Sequence, residues 1–136
     1  MIKVGVLGSG SMGSGIAQVA ATAGHNVVLV DNNPEALNSA KSKLQKIMNR
    51  LIEKGRLDAQ TAADIQERIS YELSMDAFAS CGLVIEAIIE DLDIKKTVFR
   101  RLEEIVSSDC LIASNTSSLS ISAIGSALEK ANRFLG

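Results

Sequence analysis

Residues 2–31 read IKVGVLGSGSMGSGIAQVAATAGHNVVLVD, and the order of features within this stretch decides the fold. Ile2, Val4, Val6 and Leu7 form a short apolar run broken by Lys3 and Gly5, the pattern of a strand buried on both faces. The run stops at Gly8-Ser9-Gly10-Ser11-Met12-Gly13. Ile16, Val19, Ala20 and Ala23 then recur at helical spacing, and Gly24 is a stop signal. A second apolar run, from Asn26 to Val30, ends in Asp31. The order is strand, glycine turn, helix, strand, acid.

Each part of that order has a physical task if a dinucleotide binds. Gly8 permits the tight turn out of the strand. Gly10 has no side chain, so a pyrophosphate can approach the backbone. Gly13 lets the helix pack close to the strand. The helix start offers unpaired N–H groups and a partial positive charge. Asp31 stands where a carboxylate accepts hydrogen bonds from the adenosine ribose. That carboxylate favours NAD over NADP, because a 2′-phosphate would face it and no cation is found among Asn32, Asn33 and Pro34. Glycine turns are also common in ordinary strand–helix units, and an aspartate after a strand also suits capping.

The chain has 136 residues, 46% hydrophobic and 22% charged, which suits one globular domain. A domain of this size buries roughly two-thirds of its unfolded surface. A net charge of −2 without a basic block argues against nucleic acid or an anionic membrane as partner. Aromatics at 3% argue against base-stacking surfaces. Met1 leads directly into the first strand, with no signal-peptide pattern and no run long enough to span a membrane. Cys81 and Cys110 read as small buried thiols of a reducing, cytoplasmic setting. With the single His25, they match no metal spacing.

Asn33-Pro34-Glu35 is a helix start, with Asn33 as cap. Leu37, Leu44, Ile47, Met48 and Leu51 follow at helical spacing, up to Lys54-Gly55. A shorter helix starts at Asp58, and Ile69 to Leu73 is a third strand. The crossover between strands two and three is thus far longer than a plain one needs. Its excess is a helical hairpin, read either as a stabilising insertion or as a wall over the binding crevice. Asp76 to Ser80 is a short helix or turn, and Leu83-Val84-Ile85 a fourth strand closing on Glu86. Asp91 caps a helix to Ser107 that buries Ile94, Val98, Leu102 and Ile105. Leu111-Ile112-Ala113 is a fifth strand, Ile121 to Ala131 holds helical turns, and Arg133 to Gly136 starts a sixth strand.

The alternation implies an α/β fold: a doubly wound parallel sheet (a Rossmann fold) in the order 3-2-1-4-5-6, with the helical hairpin inserted between strands 2 and 3. Right-handed crossovers gather Gly8, Asp31, Glu86, Glu90 and the turn Asn115–Ser118 at one edge, where such sheets bind ligands. His25 falls at the opposite edge and reads as a solvent-facing turn residue.

At Ser114-Asn115-Thr116-Ser117-Ser118-Leu119 the chain resembles the 3-hydroxyacyl-CoA dehydrogenase family. The likeness extends over the glycine turn, Gly15-Ile16-Ala17-Gln18, Val84-Ile85-Glu86-Ala87 and Glu90. It implies hydride transfer between C3 of a 3-hydroxyacyl-CoA, such as the 3-hydroxybutyryl-CoA/acetoacetyl-CoA pair, and NAD. It also implies residue roles. Gly8, Gly10, Met12 and Gly13 would hold the pyrophosphate, and Asp31 the ribose. Glu90, Lys95 and Asn115 would lie by the cofactor. Ser117 would touch both the nicotinamide end and the reacting oxygen of the substrate, and Lys54 the CoA phosphates. Plainer roles are open to several of these: a turn or cap serine for Ser117, a surface ion pair for Glu90 and Lys95, a helix-dipole partner for Lys54.

The family's catalytic His, its orienting Glu and a substrate-binding Asn follow the strand begun at Phe134, and none is in this chain. The helical C-terminal domain that completes the acyl-CoA site and forms the homodimer is likewise expected to be absent. Residues 1–136 are therefore expected to be an NAD-binding domain that turns over substrate poorly by itself, with an exposed apolar face near its end. The rival readings are a stand-alone, non-catalytic dinucleotide-binding module and the NAD domain of another 3-hydroxyacid dehydrogenase.

Overall fold

A computed structural model of the chain describes residues 2–88 and 92–114. Five four-residue strands form one sheet: β1 (Val4–Leu7), β2 (Val27–Val30), β3 (Ile69–Glu72), β4 (Leu83–Glu86) and β5 (Leu111–Ser114). Every pairing is parallel, and the spatial order is β3-β2-β1-β4-β5. These are the first five strands of the expected order; the sixth, and the helical turns before it, lie outside the described residues. The order reverses at β1, where β2 pairs on one side and β4 on the other, with Leu7 beside both Val30 and Glu86.

Among the described residues, five helices accompany the sheet: α1 (Ser11–Thr22), α2 (Pro34–Glu53), α3 (Ala59–Glu67), a 3₁₀ helix over Met75–Ser80, and α4 (Leu92–Ile105). Strand side chains alternate between two buried layers, as period 2 requires when both faces are covered. Val4, Val6, Val27, Leu29 and Ile85 join Ile16 of α1, Leu44 and Met48 of α2, and Ile65 of α3. Leu7, Val28, Val30 and Val84 join Phe78 of the 3₁₀ helix and Leu102 of α4. Helices α2 and α3 occupy the crossover from β2 to β3, and their buried faces belong to the first layer.

Local signals set the helix ends. The Asn33 side chain accepts from the N–H groups of Glu35 and Ala36, and Pro34 sits at the first helical position of α2. The Asp58 carboxylate caps α3 through the Thr61 N–H at 2.7 Å. Expectation failed at one apolar position. Ile94, assigned to the buried face of α4, is 46% exposed and lines the crevice at the ligand edge of the sheet. Ile47 of α2 is 38% exposed beside the groove between α1 and α2.

His25 also departs from expectation. It lies in the turn before β2, but it is 1% exposed. Its Nδ1 is 2.9 Å from the Ile2 carbonyl oxygen, and its own N–H donates to Ala20. The turn folds the imidazole under the start of β1, where a backbone carbonyl satisfies it. Cys81 and Cys110 are free thiols, Cys81 buried and Cys110 half-buried. Burial pushes the Cys81 thiol up to about 11, against a small opposing effect of Lys3, so it stays protonated.

Gly5 shows how tightly the second layer packs. A Cβ there would lie 2.5 Å from Cδ1 and 2.7 Å from Cε1 of the fully buried Phe78 ring, and 3.2 Å from the Cys81 sulfur. Gly5→Ala is expected to destabilise the fold by about 1–3 kcal/mol through overpacking. Denaturant unfolding should also show that this loss shrinks when Phe78→Leu is already in place; an undiminished loss would place its cause elsewhere than the ring.

Candidate functional site

The site begins where β1 becomes α1. Gly8 follows β1 with φ +106°, a backbone conformation that L side chains rarely adopt. A Cβ at Gly8 would also lie 2.7 Å from the Ala87 carbonyl oxygen, so the turns after β1 and β4 touch here. Two residues on, Gly10 is the N-cap of α1, and a Cβ there would meet nothing within 4 Å. At Gly13 a Cβ would strike the Gly8 carbonyl oxygen. The first turn of the helix therefore lies directly against the end of the strand, which only glycine allows.

No side chain caps α1, and its first turn carries no acid. This contrasts with α2 and α3, whose starts are closed by Asn33 and Asp58. The start of α1 thus has no built-in anion or side-chain cap, the arrangement that phosphate groups satisfy.

Asp31 closes the other side. Its Oδ2 accepts from the Ser9 N–H at 2.9 Å and from the Ser9 hydroxyl at 2.8 Å, and its Oδ1 accepts from the Asn33 N–H at 3.0 Å. Partial burial alone would raise the carboxyl above the ordinary 3.8, but these hydrogen bonds outweigh it and hold the group below that value. Asp31 is not the cap of α2, since Asn33 fills that role. The Asp31 N–H bonds to Glu72, Gly8 N–H to Val30 and Ala87 N–H to Leu7, so four strand ends are fastened side by side.

Between these ends lies a crevice of about 600 Å³. One part is polar backbone and carboxylate, formed by Gly8, Ser9, Gly10, Asp31 and Asn32. The other part is apolar, formed by Leu73, Met75, Ile88, Ile94 and Val98. Glu86, fully buried at the end of β4, accepts from the Ile88 N–H at 2.8 Å and shapes the turn that brings Ile88 to the wall. A smaller groove of about 230 Å³ runs between α1 and α2, past Gln18, Lys43, Leu44 and Tyr71, away from Asp31.

The structure thus brings Gly8, Gly10 and Asp31 to one crevice and sets Gly13 behind the turn. Met12 stands in the first turn of α1 with its side chain against the first core layer. Lys54 is the exposed C-cap of α2; no residue of α2 or α3 lines the crevice. Lys95 belongs to α4, its side chain outside the described part, and Glu90, Asn115 and Ser117 lie outside the described residues. Ser9, Leu73 and Met75 line the crevice without having been singled out in the sequence. Their signal was position: Ser9 lies inside the glycine turn, and the other two directly follow β3. Among the described residues, no group of three or more His, Cys, Asp or Glu could hold a metal ion. No helix there is long and apolar enough to cross a membrane.

Comparison with known proteins gives a consistent result. The family model described as "3-hydroxyacyl-CoA dehydrogenase, NAD binding domain" matches residues 3–136. A probable 3-hydroxybutyryl-CoA dehydrogenase of Deinococcus radiodurans is 41% identical over 135 residues, which is 99% of this chain and 48% of that protein. The 3-hydroxybutyryl-CoA dehydrogenase of Clostridioides difficile is 38% identical over 135 residues, with the same coverage of 99% and 48%. The crystal structure of 3-hydroxybutyryl-CoA dehydrogenase from Escherichia coli K12 superposes with a TM-score of 0.83 at 41% identity, covering 91% of this chain and 26% of that one. The chain spans about half the length of the two curated relatives, at 48% of each. By sequence and by fold it belongs to the NAD-binding domain family of the 3-hydroxyacyl-CoA dehydrogenases.

Proposed function

We propose that this chain binds NAD in the crevice at the β1/β4 switch point, as the NAD-binding domain (residues 1–136) of an enzyme that moves hydride between C3 of a 3-hydroxyacyl-CoA and NAD. The observation that carries the reading is the uncapped start of α1 opposite a carboxylate already held ionised. The residues present fit the cofactor: Gly10 leaves open space where a pyrophosphate must approach, and the apolar part of the crevice offers a surface for a flat ring. When bound, NAD supplies the acceptor for the hydride; the protein supplies binding and orientation.

In this reading the turn of Gly8, Gly10, Met12 and Gly13 holds the pyrophosphate, through the uncapped amides at the start of α1, and Asp31 accepts from the ribose hydroxyls. Glu90, Lys95 and Asn115 lie by the cofactor, and Ser117 meets both the nicotinamide end and the reacting oxygen of the substrate. Lys54 reaches the CoA phosphates. The names of the relatives, 3-hydroxybutyryl-CoA dehydrogenases, support a short acyl-CoA substrate. Two free thiols support a reducing, cytoplasmic setting. The family likeness supports a homodimer for the enzyme, without nucleic acid or membrane as partner.

Titration of the purified chain with NADH, followed by fluorescence or calorimetry, should reveal one site. Removing a charged hydrogen-bond acceptor by Asp31→Ala should weaken binding about ten- to a hundredfold. NADPH, whose 2′-phosphate meets that carboxylate, should bind far more weakly than NADH. No NADH uptake by the folded chain, or equal affinity in the variant, would overturn the reading.

The ionisation of Asp31 sets a pH dependence. Its carboxyl is held below 3.8, so it is charged at any higher pH. NADH affinity should therefore show no loss from Asp31 between neutral pH and about pH 5. Affinity should fall only as the pH drops through the lowered value, because protonation removes the acceptor. Affinity titrations across this range check it; an Asp31-dependent loss above pH 5 would contradict it.

A further inference from the structure

We infer that Ser9 is a positioning residue for cofactor recognition: its hydroxyl, buried between the glycine turn and β2, orients the Asp31 carboxylate toward the ribose. The inference rests on the NAD reading above. Ser9 is 6% exposed, one of three buried polar or charged residues among those described. Its N–H and its hydroxyl both donate to the same oxygen, Asp31 Oδ2, at 2.9 and 2.8 Å, across 22 residues of sequence. Its carbonyl oxygen accepts from the Ser14 hydroxyl at 2.9 Å. Ser14 stands in the first turn of α1, so an unbroken line of hydrogen bonds runs from the helix through the glycine turn to the end of β2.

The arrangement fixes the rotation of the carboxylate. With two donors on Oδ2 and the Asn33 N–H on Oδ1, the group cannot turn without breaking a charge-assisted bond. The oxygens are thus oriented before any ligand arrives, which reduces the ordering that binding requires. The line also couples the two halves of the site, since the turn that would hold the pyrophosphate and the acid that would hold the ribose share Ser9. A glycine turn needs no hydroxyl at this position to bind phosphate, because its amides suffice. The hydroxyl therefore has its partner in Asp31 and its use in the ribose end.

A double-mutant cycle on NADH binding to the full chain tests this. Ser9→Ala is expected to weaken NADH about three- to tenfold, less than the loss of a ligand's own hydrogen bond to a charged group, because the hydroxyl acts through Asp31. ADP-ribose, which keeps the ribose and lacks the nicotinamide, should lose affinity by the same factor. In an Asp31→Ala background, Ser9→Ala should change affinity less than twofold, because its partner is gone. Ser9→Gly replaces Ser9→Ala if the alanine chain does not fold. Without ligand, carbon-13 titration of the Asp31 carboxyl should show a higher midpoint in the Ser9 variant than in the unaltered chain, because a donor to the ionised form is gone. An equal loss in both backgrounds, no loss in the unaltered background, or an unmoved Asp31 midpoint would overturn the inference while leaving NAD binding standing. Failure of the unaltered chain to bind NADH would overturn the NAD reading and this inference with it.

Discussion

The contact between Gly13 and the Gly8 carbonyl is the constraint on which the rest of the site depends. It sets the first turn of α1 against the end of β1, with no room for a side chain between them. A helix placed so close must turn out of the strand sharply, which the left-handed backbone at Gly8 allows. Its start is then left with amides that no side chain caps, at the mouth of a crevice. Three glycines thus convert an ordinary strand–helix junction into a site with a preference for anions.

The sheet holds this junction rigid. Its central strands β1, β2 and β4 are buried on both faces, and the strand ends are tied by Gly8 to Val30, Asp31 to Glu72 and Ala87 to Leu7. A carboxylate presented at the end of β2 therefore keeps its distance from the turn after β1. Ser9 tightens that distance with two hydrogen bonds to one oxygen. The buried Glu86 does a similar task on the other side by holding the turn after β4. Asp31 and Glu86 thus both serve the backbone around them.

Much of this was legible in the residues. Runs of Val, Ile and Leu bounded by glycines and by Asn33-Pro34 located the strands and helices, because buried parallel strands and capped helices leave strong local signals. The strand order followed from the alternation of elements and the handedness of crossovers. What was not legible depended on tertiary neighbours. His25 carries a turn-like sequence context, and only the return of the chain beneath Ile2 buries it. Ile94 fits the apolar stripe of α4, and its place in the crevice wall shows only once the sheet edge and the turn after β3 are beside it. The partnership of Ser9 with Asp31 spans two strands, and a serine in a glycine turn carries no local mark of it. The roles of Glu90, Asn115 and Ser117 rest on the family resemblance, as these residues lie outside the described part.

The central claim is that phosphate groups are received by the uncapped amides at the start of α1, where Gly10 leads into Ser11, Met12 and Gly13. Amide resonances of nitrogen-15-labelled chain, followed while NADH is added, test it most directly. The account predicts that Ser9, Gly10, Ser11, Met12 and Gly13 shift most and together with Asp31. Shifts confined to the groove between α1 and α2, at Gln18, Lys43 and Tyr71, with the glycine turn unmoved, would contradict it.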